Sequence, residues 1–272
     1  MALITSQQIT NYYKQFGDVE VSFNKEVIRA TGLQTRNNLV KCKGAYWPCF
    51  VYSTSMKQAK IVASVKEDFH KKLQESNSLL TLQFAFIIQD KHDPLILHLS
   101  AKFNGISRYG EEKSGLSLLT VTYTQRPPDD LISILGRLLQ SNLNSQKRKE
   151  ERVLITDDVV RKMGLKSKNV VVAIDNVPRK AILRDMSFGG AKLIIAGMQQ
   201  NPSSKAIIMK IDVADTDDSF KLIGTMVRIE PIANRPEIAS VAVQYDEKLI
   251  PIEYKIFFND FLSRRKPKAN AV

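Results

Sequence analysis

Two short clusters in this 272-residue chain carry residue types suited to ligand chemistry. The first is Arg148-Lys149-Glu150-Glu151-Arg152, two arginines four positions apart; the second, separated from Arg152 by 32 residues, is Asp185-Met186-Ser187-Phe188-Gly189-Gly190. A planar guanidinium can meet a phosphate bidentately, donate to the O6/N7 edge of guanine, or lie flat on a base, whereas lysine replaces only its charge. Asp185 is suited to the opposite guanine edge, where the N1 and N2 donors need an acceptor, and Ser187, two residues further along an extended strand, shares its face. Gly190 admits close approach of a ligand or a positive φ at a tight turn, and Gly189 is a turn glycine and a further candidate contact, as are Gln146 and Lys147 just before the first arginine. Either cluster alone is weak, because arginine pairs are ordinary on solvated segments and an acid near Ser and Gly usually marks a turn.

Other chemistries find no footing. The chain has no Gly-rich phosphate loop ending in Lys-Ser or Lys-Thr, no Gly-x-Ser-x-Gly elbow and no His-Glu-x-x-His pattern. Its two cysteines, Cys42 and Cys49, lie near none of the three histidines, His70, His92 and His98, in sequence and read as half-buried thiols of a reducing compartment, with no metal site expected. The acidic run Asp212 to Asp218 lacks the glycine and terminal glutamate of a calcium loop and reads as a hairpin turn. No acid–base pair or activated nucleophile stands at a recognisable spacing, so catalytic residues are not expected. The formal net charge of +12 favours anionic partners, and since it is shared by both halves it points to no single basic domain. The opening residues carry neither a basic n-region nor an apolar stretch, and no segment is long and apolar enough to span a bilayer, so a cytoplasmic protein without membrane insertion is expected.

Around the clusters the chain reads as mainly β. Runs at 170–174, 181–186, 191–195, 206–213, 222–229 and 239–245 are separated by turn residues and suggest a small barrel. A helix after Pro251 follows, with Tyr254, Phe257, Phe258, Phe261 and Leu262 on one face, and then the basic run Arg264 to Lys268. The first half shows strands at 19–23, 39–42, 50–53, 59–64, 79–88, 95–103 and 116–123, a helix at 67–75, and an amphipathic helix after Pro128 through Leu131, Ile134, Leu135, Leu138 and Leu139. Adding 123 to those helix positions gives the apolar positions of the second helix, which suggests an internal repeat. The same shift carries Arg148 and Arg152 onto Lys25 and Arg29, and Asp185, Ser187 and Gly190 onto Val62, Ser64 and Glu67, so the first copy is expected not to bind the ligand. The polar stretch 141–147 has little to bury and reads as a linker. The expected domains are 1–140, a linker and switch segment 141–152, and 153–272.

Arg-x-x-x-Arg followed by Asp-x-Ser-x-x-Gly, in a β-barrel context over about residues 141–265, resembles the signature of PilZ domains, and the two-domain layout is similar to spirochaetal PilZ proteins of the PlzA type. The resemblance implies two small PilZ-like β-barrels, each followed by an α-helix, and a non-enzymatic receptor for cyclic di-GMP. Its ligand would be held by Arg148, Arg152, Asp185, Ser187 and Gly190. Residues 141–152 are expected to be mobile until the ligand clamps both arginines, changing domain orientation and signalling to an unidentified downstream protein. A nucleic-acid-binding protein using its basic surface is the alternative reading.

Overall fold

The computed structural model describes residues 4–88, 93–111, 115–197, 205–214, 218–232 and 235–265. The chain divides into two compact units, Met1–Leu139 and Gln140–Val272.

The first unit opens with α1 (Ser6–Phe16), whose start is a capping box: the Thr5 hydroxyl accepts from the Gln8 N–H, and the Gln8 side chain accepts from the Thr5 N–H. After β1 (Val21–Ser22) comes α2 (Lys25–Thr31), capped by Asn24 at 2.9 Å and stopped by Gly32, which takes the left-handed conformation at φ 74°. There follow β2 (Leu39–Cys42), β3 (Ala45–Thr54), β4 (Gln58–Ala63), α3 (Glu67–Glu75), β5 (Leu79–Phe86), β6 (Leu95–Arg108), β7 (Ser117–Tyr123) and α4 (Asp129–Lys147). The sheet runs β1-β3-β2-β5-β6-β7-β4, and β4 also pairs with β3, so β2 to β7 close into a barrel with β1 on its rim. Alternation fills it: Leu97, Leu99 and Ala101 of β6 are buried while His98, Ser100 and Lys102 face out. Within this unit α1 lies against α4 at Gly136, where a Cβ would stand 2.2 Å from the Tyr12 ring.

The second unit repeats the plan: β8 (Val153–Leu154), α5 (Asp157–Met163), β9 (Asn169–Ile174), β10 (Val177–Met186), β11 (Gly190–Ala196), β12 (Ala206–Asp212), β13 (Ser219–Ile232), β14 (Arg235–Tyr245) and α6 (Ile252–Arg265). Its sheet runs β11-β14-β13-β12-β9-β10-β8, with β11 also paired to β10, so six strands close and β8 flanks them. α6 buries Tyr254, Phe258, Phe261 and Leu262, with the Phe258 ring edge-on to Phe188 at 4.8 Å. From β1 and β8 onward the two units match strand for strand and α-helix for α-helix, with α3 as an insertion in the first.

The repeat is real, but its offset is not uniform. Val21 and Ser22 pair with Thr54 and Ser53, and Val153 and Leu154 pair with Met186 and Asp185, an offset of 132 at all four positions. By the end of the barrels the offset has fallen to 122 or 123, since Tyr123 pairs with Ala101 as Tyr245 pairs with Gly224. The extra chain around α3 lies between the two regions, so the shift of 123 read from the final helices does not apply to the ligand motif.

Residues 141–147 are not an unstructured linker: they form the last turns of α4. Ser141 and Asn144 are buried, and the Asn144 amide donates to the Asn259 side chain at 2.6 Å. A polar face that looked as if it had nothing to bury is buried against another polar residue. Helices α2 and α5 also escape a periodicity search, because seven residues hold too few apolar positions. The run Lys266 to Lys268 and the acidic residues 215–217 lie outside the described residues.

Both cysteines are free and buried, not half-buried, and burial pushes the Cys49 thiol up to about 12. Neither thiol should react with an aromatic disulfide reagent at pH 8 in the native protein, and both should react in guanidinium; rapid labelling of the native state would contradict this packing.

Candidate functional site

The second motif lies at the junction of β10 and β11. After Met186 the chain reverses through Ser187, Phe188 and Gly189, and the Ser187 N–H donates to the Gly190 carbonyl at 2.8 Å. Ser187 is 1% exposed, and its hydroxyl donates to the Gly190 carbonyl at 3.2 Å and accepts from the Gly190 N–H at 3.1 Å. Its own carbonyl accepts from the Tyr254 hydroxyl at 2.6 Å. Ser187 therefore locks the turn to itself and to α6, instead of sharing an open strand face with Asp185.

The two glycines exchange the roles their sequence suggested. Gly190 is not at positive φ; a Cβ there would lie 2.3 Å from the Val243 carbonyl, so the close approach it permits is that of β14. Gly189 is the residue that admits the arginine segment. Its N–H donates to the Lys149 carbonyl at 3.2 Å, its carbonyl accepts from the Tyr245 N–H at 2.9 Å, and a Cβ would meet the Lys149 side chain at 2.7 Å.

Strand pairing sets the arginine beside the acid. Because Val153 pairs with Met186 and Leu154 with Asp185, the residue preceding β8, Arg152, arrives at the end of β10, and its Nη1 stands 2.5 Å from Asp185 Oδ1. The Asp185 side chain is 16% exposed and that of Arg152 41%, so the pair sits at a rim where water still reaches the cation. Arg148 directly follows α4, its N–H bonded to the Asn144 carbonyl at 2.8 Å and its Nε a loose 3.8 Å from Glu151. Gln146 and Lys147 are exposed on the last turn of α4. Arg152, Asp185, Lys149 and Gly189 are thus brought to one rim of the second barrel, with Arg148 on the same segment one residue before Lys149.

Sequence reasoning missed the residues that hold this arrangement. Lys149 is ion-paired with Glu247, which opens a 3₁₀ turn (Glu247–Leu249) after β14. Beneath the rim lie the phenols of Tyr245 and Tyr254, both kept protonated by burial. Lys149 was visible inside the motif, but nothing in its spacing pointed to an acid almost a hundred residues later.

The equivalent rim of the first barrel carries opposite chemistry. At the 132-residue offset Arg152 corresponds to Glu20, Asp185 to Ser53, Ser187 to Ser55 and Gly190 to Gln58, which replaces the assignments to Arg29, Val62, Ser64 and Glu67. The turn is preserved, with the Ser55 N–H on the Gln58 carbonyl at 2.9 Å. Glu20 accepts from the buried Ser53 hydroxyl and pairs with Lys60 at 2.9 Å, contacts that hold its carboxyl below the usual range. A carboxylate occupies the place of the arginine, which repels rather than attracts phosphate. Among the described residues no cluster of three or more His, Cys, Asp or Glu is placed to hold a metal ion, and no helix is long and apolar enough to cross a membrane.

Comparison with known proteins gives four similarities. Residues 7–142 match the PilZN3 domain. The chain is 40% identical over 271 residues to the cyclic di-GMP binding protein of Treponema denticola, spanning 99% of this chain and 86% of the relative. Among solved structures, it is similar to the Borreliella burgdorferi PlzA protein in complex with c-di-GMP, at 21% identity and a TM-score of 0.42, covering 94% of this chain and 98% of that one. It is also similar to Escherichia coli YcgR in complex with c-di-GMP, at 12% identity and a TM-score of 0.28 over 93% and 95% of the two chains.

Lys149→Ala should speed tryptic cleavage at Arg148 and Arg152 several-fold while changing the melting temperature little, because it frees the segment and leaves the barrel intact. Gly190→Ala should lower the melting temperature by about 5 °C or more, since the strands must part to admit its Cβ. Equal effects of the two substitutions on both readouts would overturn the division of roles.

Proposed function

The chain belongs to the family of the Treponema denticola cyclic di-GMP binding protein, with a PilZN3 domain in its first half, and from that premise we propose that it is a receptor for cyclic di-GMP, bound at the rim of the second barrel. The observation that carries this reading is the pairing of Arg152 with Asp185 beside the Ser187–Gly190 turn, to which the arginine segment is tied by the Gly189 N–H on the Lys149 carbonyl. In the free protein Arg152 and Asp185 neutralise one another. A guanine dinucleotide supplies a replacement for each: phosphate or the O6/N7 edge for the guanidinium, N1 and N2 donors for the carboxylate. Exchanging both partners at once strands neither charge, whereas a ligand with only phosphate would leave Asp185 unpaired. That requirement selects guanine over adenine.

Ser187, Gly189 and Gly190 shape the site more than they touch the ligand, while Gln146 and Lys147 are placed to approach its outer side. The first barrel, with Glu20 and Ser53 at the corresponding rim, is a non-binding copy. The switch is shorter than the sequence suggested. Helix α4 orders the chain to Lys147, so the ligand acts on residues 148–152, and it acts directly on the end of a helix that begins in the first unit. Drawing that end onto the ligand changes the orientation of the two units and thereby signals to a protein partner. The receptor catalyses no reaction on its ligand.

Titration calorimetry should show saturable binding of cyclic di-GMP, with GTP and cyclic di-AMP at least about 100-fold weaker. Arg148→Ala/Arg152→Ala should lose at least about 100-fold in affinity, the scale of two or more charge-assisted hydrogen bonds. Its melting temperature should stay within a few degrees of wild type, because the ion pairs removed are at least a quarter exposed on their arginine side. Absence of binding by folded wild-type protein, or wild-type affinity in the double variant, would overturn the proposal.

A further inference from the structure

Both barrels carry a lysine at the same place beside the rim and use it differently. In the second barrel Asp185 has a direct ladder partner on either side, Leu154 of β8 and Lys192 of β11. Side chains at such opposed positions have Cβ atoms about 4.5–5.5 Å apart. Arg152, which directly precedes β8, therefore reaches Asp185 from one flank, and Lys192 stands on the other.

In the first barrel Ser53 is flanked in the same way, by Ser22 of β1 and Lys60 of β4, so Lys60 is the counterpart of Lys192 at the 132-residue offset. There the lysine reaches across: its Nζ lies 2.9 and 3.0 Å from the two oxygens of Glu20, the residue in the place of Arg152, and the Ser53 hydroxyl donates to the same carboxylate. A lysine at this position is thus long enough to meet a group held over the middle strand. In the second barrel the acid occupies the middle position, as Asp185, and is taken by Arg152. The one ion pair of Lys192 among the described residues is a loose 3.9 Å contact with Glu230, which Arg228 already holds at 2.5 Å. The Lys192 side chain is 37% exposed, so drawing its ammonium off Glu230 is nearly neutral.

We infer that Lys192 is a specificity-determining residue of the ligand site: it donates to O6 of the guanine whose N1 and N2 groups rest on Asp185. The inference rests on the reading of the second barrel as the cyclic di-GMP site. In guanine O6 adjoins N1, so a base seated on the carboxylate presents O6 to one side of it, within reach of a cation on the neighbouring strand. Lysine supplies donors and no acceptor. Adenine carries an amino group where guanine carries O6, and it lacks the N1 proton. It therefore sets donor against donor at Lys192 and acceptor against acceptor at Asp185. The two residues read one edge together, which leaves Arg148 and Arg152 for phosphate, N7 and the face of the base.

The test compares Lys192→Met, Lys192→Arg and Lys60→Met with wild type, by calorimetry with cyclic di-GMP and cyclic di-AMP and by thermal unfolding without ligand. Lys192→Met keeps the apolar stem and removes the donors. It should bind cyclic di-GMP about tenfold more weakly and cyclic di-AMP no more weakly than wild type does, so that the ratio of the two affinities falls about tenfold. Its melting temperature should stay within a few degrees of wild type. Lys192→Arg should recover most of the affinity, and Lys60→Met should bind as wild type does. Wild-type affinity for cyclic di-GMP in Lys192→Met, or an equal loss for both dinucleotides, the mark of a phosphate contact, would overturn the inference while leaving the receptor reading intact. Failure of wild type itself to bind would instead remove the receptor reading on which it rests.

Discussion

A two-residue strand decides where the chemistry of this protein can happen. β8 consists of Val153 and Leu154, and its pairing with Met186 and Asp185 of β10 is the constraint that brings Arg152 to Asp185. Val153 is 1% exposed and Leu154 57%, so the register is fixed by the inward residue, and a slip of one position would bury the wrong side chain. The ion pair at 2.5 Å is a consequence of that register rather than its cause, since a partly exposed pair is worth about 1 kcal/mol or less whereas a fully buried valine is worth about 1.5–3 kcal/mol.

From this pairing the rest of the rim follows. The arginine segment has to pass the β10–β11 turn, and Gly189 has no side chain because Lys149 passes there. The turn is held from below by Tyr254 of α6 and from the side by the Tyr245 backbone, so the helix that caps the barrel and the strand that closes it both report to the site. The polar groups of the rim are thereby carried on parts whose own rotamers and backbone are fixed by packing.

The duplicated fold separates what a barrel needs from what a receptor needs. Both copies keep the short rim strand, the seven-residue helix with its cap and left-handed glycine, the Ser turn and the tyrosine at the end of the last strand. These features recur because they solve the backbone problem of closing six strands. What differs is confined to the rim: Glu20 for Arg152, Ser53 for Asp185, Gln58 for Gly190 and Thr54 for Met186. In the first copy the rim satisfies itself internally with Glu20, Ser53 and Lys60.

Sequence alone determined the strands other than β8, the helices α3 and α6, most of α4 and the two polar clusters. Alternation and 3.6-residue periodicity are local, and guanidinium, carboxylate and glycine announce their chemistry without a fold. Tertiary structure alone decided three things. It showed that 141–147 is helix, because Asn144 finds its partner in Asn259, far along the chain. It set the offset between the copies at 132 near the motif, because only strand pairing reveals on which side of the α3 insertion a residue is to be aligned. It gave Ser187 its hydrogen bonds within the turn, Gly190 the close approach of β14 and Gly189 the passage of Lys149, because a small residue's packing is defined by what lies within about 4 Å of it, and those atoms come from β14, α6 and the arginine segment.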